Sequence, residues 1–412
     1  MEVELKVKNG FVKGHCSEAF QPVLDEFVRN FDERNELGAS LCVNVAGETL
    51  VDVWGGVKSS AKNADAWQPD TISVVFSCTK AAVALCANML IDQGKLDLHA
   101  PVAVYWPEFA TNGKEHTTVE MMLNHSVGVP AFREPLRDGA YQDWDYMVDR
   151  IANEAPFWKP GTRNGYHMTT FGWTVGELIR RVSGQSLGTY FRDNIAEPLG
   201  LDFWIGLPDS EHDRVSRILR WKPKKGEPPA PFTRALLNDS KSLQYLALLN
   251  NGGFRTDSPE SYRTEYGAGG GITNGRSLAG MYSPLANGGI HHGVRLLSAD
   301  HIERMSATSV ATKEDATLLM PSRFGLGFMR SMDNRHRESG AMETLILGKN
   351  GFGHAGAGGS LGFADPDARL AFGYTMNSMG AGILLNNRGQ ALVDAVYRNV
   401  GYRTNKPGFW IK

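Results

Sequence analysis

The sequence predicts an α+β fold in which helices cover an antiparallel sheet built from both chain ends, with a mainly helical part between. Three observations carry that prediction. Strand-like hairpins occur near residue 45 and near residue 366, helical periodicity dominates from about Val74 to Ser309, and amphipathic helices open and close the chain. The expected division is a discontinuous sheet unit of residues 1–73 and 322–412 and a helical unit of residues 74–321.

Phe20, Val23, Leu24, Phe27, Val28 and Phe31 recur at helical spacing, with Ser17 placed to cap that helix and Gly38 to end it. Ser40–Val45 and Thr49–Trp54 flank Ala46-Gly47-Glu48 and read as a hairpin. Ala81 to Leu90 is apolar on nearly all sides, which describes a buried helix, and Gly94 can close it. Val175, Leu178, Ile179 and Val182 form another stripe, ended by Gly184. Gly359 to Ala364 and Arg369 to Met376 flank the turn Asp365-Pro366-Asp367. The last helix is expected from Arg388 to Val400, ended by Gly401. Arg220 to Pro231 is a proline-rich basic loop, either a solvated connection or an active-site rim.

Hydrophobic residues make up 42% of the 412 and charged residues 21%, with a net charge of -2. That balance calls for neither nucleic acid nor an anionic membrane as partner. The first residues lack the apolar core of a secretory signal, and no stretch approaches the roughly 20 apolar residues of a membrane span. Cys16, Cys42, Cys78 and Cys86 show no Cys-x-x-Cys spacing and fit free thiols. A cytoplasmic protein is expected.

Serine attacks a carbonyl only when a base takes its proton, and a lysine can do so once burial lowers its pKa. Ser-x-x-Lys on a helix places both groups on one face. Two such pairs occur, Ser59…Lys62 and Ser77…Lys80. The first lies in a polar stretch without helical pattern. The second follows the strand-like Ile72 to Phe76 and opens the buried helix, whose N-terminus offers N–H groups to an oxyanion. A capping serine with a snorkelling lysine would give the same four residues.

Tyr166, delivered by a Pro160-Gly161…Asn164-Gly165 loop ahead of a helix, is the candidate third group, with Tyr397 its rival. Gly353-His354-Ala355-Gly356-Ala357-Gly358-Gly359-Ser360 could place a cation on a strand followed by small residues. The Ala357 N–H would then be a second oxyanion donor beside that of Ser77. An incidental histidine in a glycine-rich turn is the alternative.

Together, from about Gly38 to Gly380, these pieces resemble the class C β-lactamase-like serine hydrolases, which include penicillin-binding proteins and family VIII carboxylesterases. Ser77-Cys78-Thr79-Lys80 matches the first motif, and Leu123-Asn124-His125-Ser126-Val127-Gly128-Val129-Pro130 is similar to the Leu-x-His-x-Ser-Gly-Leu-Pro landmark, with Val127 in the place of the serine. Tyr166 matches the second motif, and His354-Ala355-Gly356 is similar to the Lys/His-Thr-Gly strand motif.

The resemblance implies a β-lactamase/transpeptidase-like fold with the active site between sheet and helices. It implies Ser77 as nucleophile, Lys80 as general base, Tyr166 as proton relay, and His354 and Gly356 as substrate-binding residues. Lysine at position 349 is a rival to His354 for the cation. Lactamases carry Asn where this chain has Met168, and Lys-Thr or Lys-Ser where it has His354-Ala355. These departures turn the expectation from lactams towards small esters.

The expected function is therefore a carboxylesterase working through an acyl-enzyme, with no cofactor and no metal. A β-lactamase, a D-amino-acid peptidase or amidase, and an acyltransferase are the enzyme alternatives. A ligand-binding sensor on a hydrolase scaffold is the non-enzymatic one. The expected partner is a small-molecule ester, amide or lactam.

Other motifs read as decoys. Gly358-Gly359-Ser360-Leu361-Gly362 has the Gly-x-Ser-x-Gly pattern but is followed by a hairpin, not a helix. Cys78 is rotated about 100° from Ser77 on a helix. His291-His292 lacks a third metal ligand. Ala268 to Gly275 lacks the phosphate-loop lysine, and Asn274 is placed to cap a helix. Of Trp106, Phe132, Trp144, Tyr146, Phe157, Trp158 and Trp204, two or three are expected to line an acyl or alcohol pocket.

Overall fold

The computed structural model describes residues 1–222, 229–337 and 343–412. Positions 223–228 of the proline-rich basic loop lie outside the described residues.

Ten strands form one antiparallel sheet: β1 (Glu2–Val7), β2 (Gly10–Cys16), β3 (Gly38–Val45), β4 (Glu48–Gly56), β5 (Val310–Thr312), β6 (Ser322–Phe324), β7 (Met329–Arg330), β8 (Phe352–Ala355), β9 (Leu361–Asp365) and β10 (Leu370–Met376). Their order is β1-β2-β4-β3-β10-β9-β8-β7-β6-β5. The two chain ends meet where β3 pairs with β10, from Leu370 opposite Val45 to Met376 opposite Ala39. The β3–β4 turn holds Ala46 at φ +54 and Gly47 at φ +86, the two left-handed residues that let a tight hairpin follow the strand twist.

Side-chain size alternates across the central strands and decides what packs on each face. On one face are Ser40, Cys42, Asn44, Gly362 and Gly373. A Cβ on Gly373 would stand 2.2 Å from the Gly275 carbonyl, and one on Gly362 would stand 2.4 Å from the Tyr282 ring. These small residues let helix Gly275–Ala286 lie directly on the sheet, pinned by Ser40 Oγ, which accepts the Gly275 N–H at 2.9 Å, and by Asn44, which donates to Ser283 Oγ at 2.7 Å. On the other face Leu41, Val43, Phe363, Phe372 and Tyr374 join Phe27, Phe31, Val393, Val396 and Tyr397 in one apolar cluster, so helices Gln21–Glu33 and Asn387–Asn399 cover it. Period-2 alternation has sorted small from large.

Between these strands run the buried helix Cys78–Asp92 and the helix Phe171–Ser183, which pack together in a second apolar cluster. Gly184 ends the latter at φ +72. Two elements ahead of residue 322 belong with the sheet: β5 extends its edge, and helix Gly275–Ala286 covers its face. Local readings also shift. Gly38 begins β3, and it is Asn35, at φ +57, that follows the first helix in the left-handed position. Ser17 precedes a 3₁₀ turn, Glu18–Phe20, and its side chain makes no capping bond.

A buried ion pair ties the ends together. Arg388 donates to Glu36 Oε1 at 2.9 Å, the Tyr374 hydroxyl donates to the same carboxylate, and the guanidinium also donates to the Ser378 carbonyl. Burial pushes the Glu36 carboxyl up while Arg388 opposes it. Removing one partner strands the other charge inside the protein. Arg388→Ala is expected to lower unfolding free energy by about 3–5 kcal/mol, read from the denaturation midpoint in urea. A change under about 1 kcal/mol, the scale of a surface pair, would contradict this account.

Candidate active site

Ser77 occupies the N-cap place of helix Cys78–Asp92 and is half-buried. The residue before it, Phe76, has φ +46, a left-handed conformation costly for a bulky side chain. Thr79 holds that turn: its Oγ1 donates to the Phe76 carbonyl at 2.5 Å and accepts the Gly271 N–H at 2.8 Å. The strained corner carries Ser77 at its tip.

Lys80 is fully buried, one turn along. Its Nζ lies 2.8 Å from the Met168 carbonyl, 2.7 Å from the Ala268 carbonyl and 3.2 Å from Ser77 Oγ. Burial holds the amine well below the ordinary lysine range. A neutral amine has two N–H bonds and one lone pair. Two carbonyls take the two N–H groups, which leaves the lone pair for the Ser77 hydroxyl proton.

Tyr166 is buried with its ring face 4.9 Å from Lys80 Nζ. Burial pushes its phenol above the usual range, with the nearby Ser77 hydroxyl acting in the other direction, although no hydrogen bond closes on Tyr166 Oη. Its backbone is anchored by the Asp315 carboxyl group, which accepts the Tyr166 N–H. The rival Tyr397 is committed elsewhere: it donates to Asp365 and accepts the Gly348 N–H.

Strand β8 brings the glycine-rich segment alongside. The Cys78 thiol donates to the His354 carbonyl at 3.1 Å, and a Cβ on Gly356 would stand 2.2 Å from the Val75 carbonyl. Gly356 therefore permits close backbone approach, a packing reason for the glycine. The N–H groups of Ser77 and Ala357, which both lie outside helix and strand, donate to no other group among the described residues.

His354 differs from the expected strand cation. It is fully buried, and its Nδ1 lies 2.7 Å from the Ala355 carbonyl, so Nδ1 carries the proton and Nε2 is a bare acceptor without a partner. Burial, with Lys80 nearby, pushes the imidazole down to about 3, so the ring is neutral. Lys349 is exposed in the turn ahead of β8, at the end away from Gly356. Neither residue puts a cation beside Ser77.

Three contributors had no sequence signal of their own. The Met168 and Ala268 carbonyls act through backbone atoms that any residue would supply. Asp315 lies 149 residues from the tyrosine it anchors. His125, by contrast, was signalled as part of the landmark, and it packs its ring 4.9 Å from that of Tyr166 at φ +67.

The decoys separate cleanly. Ser59 and Lys62 lie in a bend outside any helix. Ser360 is buried and leads into β9, a strand. Cys78 is buried, and desolvation pushes its thiol up. Among the described residues no group of three His, Cys, Asp or Glu could hold a metal ion, and no helix is long and apolar enough to cross a membrane. Trp158 packs over the Tyr166 loop, donating to the Ser126 carbonyl. Trp204 lines a cavity of about 390 Å³ with Phe191, Phe203 and Arg263, and neither Ser77, Lys80 nor Tyr166 borders it.

The chain is similar to known proteins in sequence and in fold. The Beta-lactamase family model matches residues 24–395. The esterase/beta-lactamase LipL of Mycobacterium tuberculosis is 32% identical over 384 residues, spanning 89% of this chain and 83% of that protein. The crystal structure of a family VIII carboxylesterase superposes with a TM-score of 0.82 at 35% identity, over 94% of this chain and 99% of the other. A penicillin-binding protein homologue from Caulobacter crescentus superposes with a TM-score of 0.82 at 34% identity and the same coverage. The chain belongs to the Beta-lactamase family, and it is a serine hydrolase with the β-lactamase/transpeptidase-like fold.

Proposed function

We propose that this chain is a carboxylesterase for small esters and that it works through an acyl-enzyme on Ser77. The observation that carries the reading is the buried Lys80 amine, held by the Met168 and Ala268 carbonyls and lying 3.2 Å from Ser77 Oγ. Lys80 accepts the Ser77 proton as Oγ attacks the ester carbonyl. The Ser77 and Ala357 N–H groups hold the oxyanion. Tyr166 relays the proton held by Lys80 to the leaving alcohol; water then breaks the acyl–Ser77 bond, its hydroxyl leaving in the acid and its proton returning to Ser77 Oγ through Lys80. No step needs a metal or cofactor.

Esters are favoured over lactams for a reason of charge. A lactam antibiotic carries a carboxylate, and the strand beside Ser77 presents a neutral His354 followed by Ala355 rather than a lysine and a hydroxyl. Met168 likewise replaces the side-chain amide that lactamases place two residues after the tyrosine. The names of two similar proteins, an esterase/beta-lactamase and a family VIII carboxylesterase, support ester chemistry.

Incubation with p-nitrophenyl acetate, p-nitrophenyl butyrate and a chromogenic cephalosporin, with mass spectrometry of the Ser77 peptide, tests the reading. Turnover of both esters, an acyl adduct on Ser77 and little cephalosporin hydrolysis are expected. Tyr166→Phe should lower kcat by about 10²–10⁴-fold, the range of a general acid–base group. Full esterase activity in Ser77→Ala would sink the assignment.

The lysine makes a separate thermodynamic prediction. Lys80 is neutral in the native state and charged in the unfolded chain below its ordinary value of 10.5, so the unfolded state binds more protons. This contribution makes stability rise with pH from the depressed native value up to about 10.5, and it opposes folding most below that window. Unfolding free energies of the wild type and Lys80→Met, measured from pH 6 to pH 10 (roughly the window set by the ordinary lysine pKa), should differ by an amount that drifts in favour of the wild type as pH rises. A difference constant with pH would mean that Lys80 is charged when folded.

A further inference from the structure

Beneath Tyr166 lies a carboxyl group that the proposed reaction does not use. Asp315 is fully buried, and no Lys, Arg or His side chain is among its partners in the described residues. Its Oδ1 lies 2.9 Å from each of the N–H groups of Tyr166, Thr317 and Leu318. Its Oδ2 lies 2.9 Å from Ser322 Oγ and 3.1 Å from the Tyr166 nitrogen. Ser322 Oγ in turn lies 3.0 Å from Asn164 Oδ1.

The protons around Ser322 can be counted. The Asn164 amide is oriented by its Nδ2, which donates to the Asn124 carbonyl at 2.8 Å, so Oδ1 is the atom facing Ser322. Ser322 has one hydroxyl proton and two oxygen neighbours that each need one. With an ionised carboxylate, that proton goes to Asp315 and two oxygens face each other at 3.0 Å with nothing between them. With a proton on Asp315 Oδ2, every contact is filled: the acid donates to Ser322 Oγ, and Ser322 donates to Asn164 Oδ1.

We infer that Asp315 is a protonated carboxylic acid in the native enzyme and that it is the positioning residue for Tyr166. Its Oδ1 gathers the Tyr166, Thr317 and Leu318 N–H groups, while its O–H runs through Ser322 to Asn164, two residues before the tyrosine. Three backbone N–H groups favour an anion, but burial without a cation outweighs them and pushes the carboxyl up. The uncharged form also suits the relay, because a negative charge here would hold the Tyr166 proton more tightly. The positioning role rests on the proposed relay through Tyr166. The proton on Asp315 does not.

An amide reproduces a protonated acid, with one oxygen that accepts and one group that donates, and it cannot reproduce a carboxylate. Asp315→Asn should therefore keep kcat and KM close to wild type. Asp315→Ala should lose about 10²-fold in kcat with little change in KM, the cost of misplacing a group that acts in the transition state. An infrared difference spectrum of wild type against Asp315→Asn at neutral pH reads the proton directly, and a protonated-carboxyl C=O band present only in the wild type is expected. Absence of that band, or a kcat in Asp315→Asn as low as in Asp315→Ala, would overturn the inference. The band and the amide variant decide the matter even where the alanine variant fails to fold. Full activity in Tyr166→Phe would overturn the relay and the positioning role together, and the band would still decide the proton.

Discussion

The amine of Lys80 is the point on which the proposed chemistry depends, and it can exist as a base only because three separate stretches of chain close around it. The helix supplies the lysine, the Tyr166 loop supplies the Met168 carbonyl 88 residues on, and the stretch Ala268-Gly269-Gly270-Gly271 supplies the Ala268 carbonyl 188 residues on. A carbonyl oxygen can accept from a charged or a neutral amine, so the two bonds orient Nζ in either state, although they are stronger to the ammonium. Desolvation by burial disfavours the charge and holds the amine well below the ordinary lysine range. Orientation and neutrality thus have different physical causes.

The sheet contributes rigidity at the place where error is least tolerable. Gly373 and Gly362 let a helix lie on one face, and Gly356 lets the end of β8 approach the backbone just ahead of Ser77. The Cys78 thiol fastens the helix start to the same strand. Both candidate oxyanion donors are therefore held by backbone packed against backbone, and a fixed dipole needs no reorganisation when charge develops. The Glu36–Arg388 pair braces the other side of the sheet and reaches the Ser378 carbonyl just beyond β10. The next residue, Met379, packs on Gly358, one place from Ala357.

Much of this was legible in the sequence, and what was not shares a physical cause. The stretch from Ala81 to Leu90, apolar on nearly all sides, announced a buried helix, and burial is what separates Lys80 from Lys62. The Asn164-Gly165 turn announced the delivery of Tyr166. The ionisation of His354 could not be read, because its identity suggests a cation while its surroundings, set by packing, remove the charge. The Met168 and Ala268 carbonyls act across long separations through backbone atoms, which leave no residue-type signature, and the Asp315 carboxyl meets the Tyr166 N–H only across 149 residues of chain. β5 was missed because a three-residue edge strand has too little alternation to register.

The neutrality of the resting site has a consequence for the proposed reaction. The proposed reaction starts from a neutral Lys80, whose pKa burial lowers, beside a protonated Tyr166 and an uncharged His354, so an incoming ester meets fixed dipoles from all three. Charge appears only as Ser77 Oγ adds to the carbonyl: the oxygen becomes an anion, and Lys80 becomes an ammonium 3.2 Å from the reacting Oγ. That pair attracts in a buried, low-dielectric setting, and it is absent from the ground state. Only interactions stronger in the transition state accelerate the chemical step, and this one is made entirely there. A permanent cation at position 354 would bind an anionic substrate before reaction and would disfavour the lysine ammonium during it. A neutral histidine does neither, and the same burial that silences it keeps Lys80 ready to accept a proton.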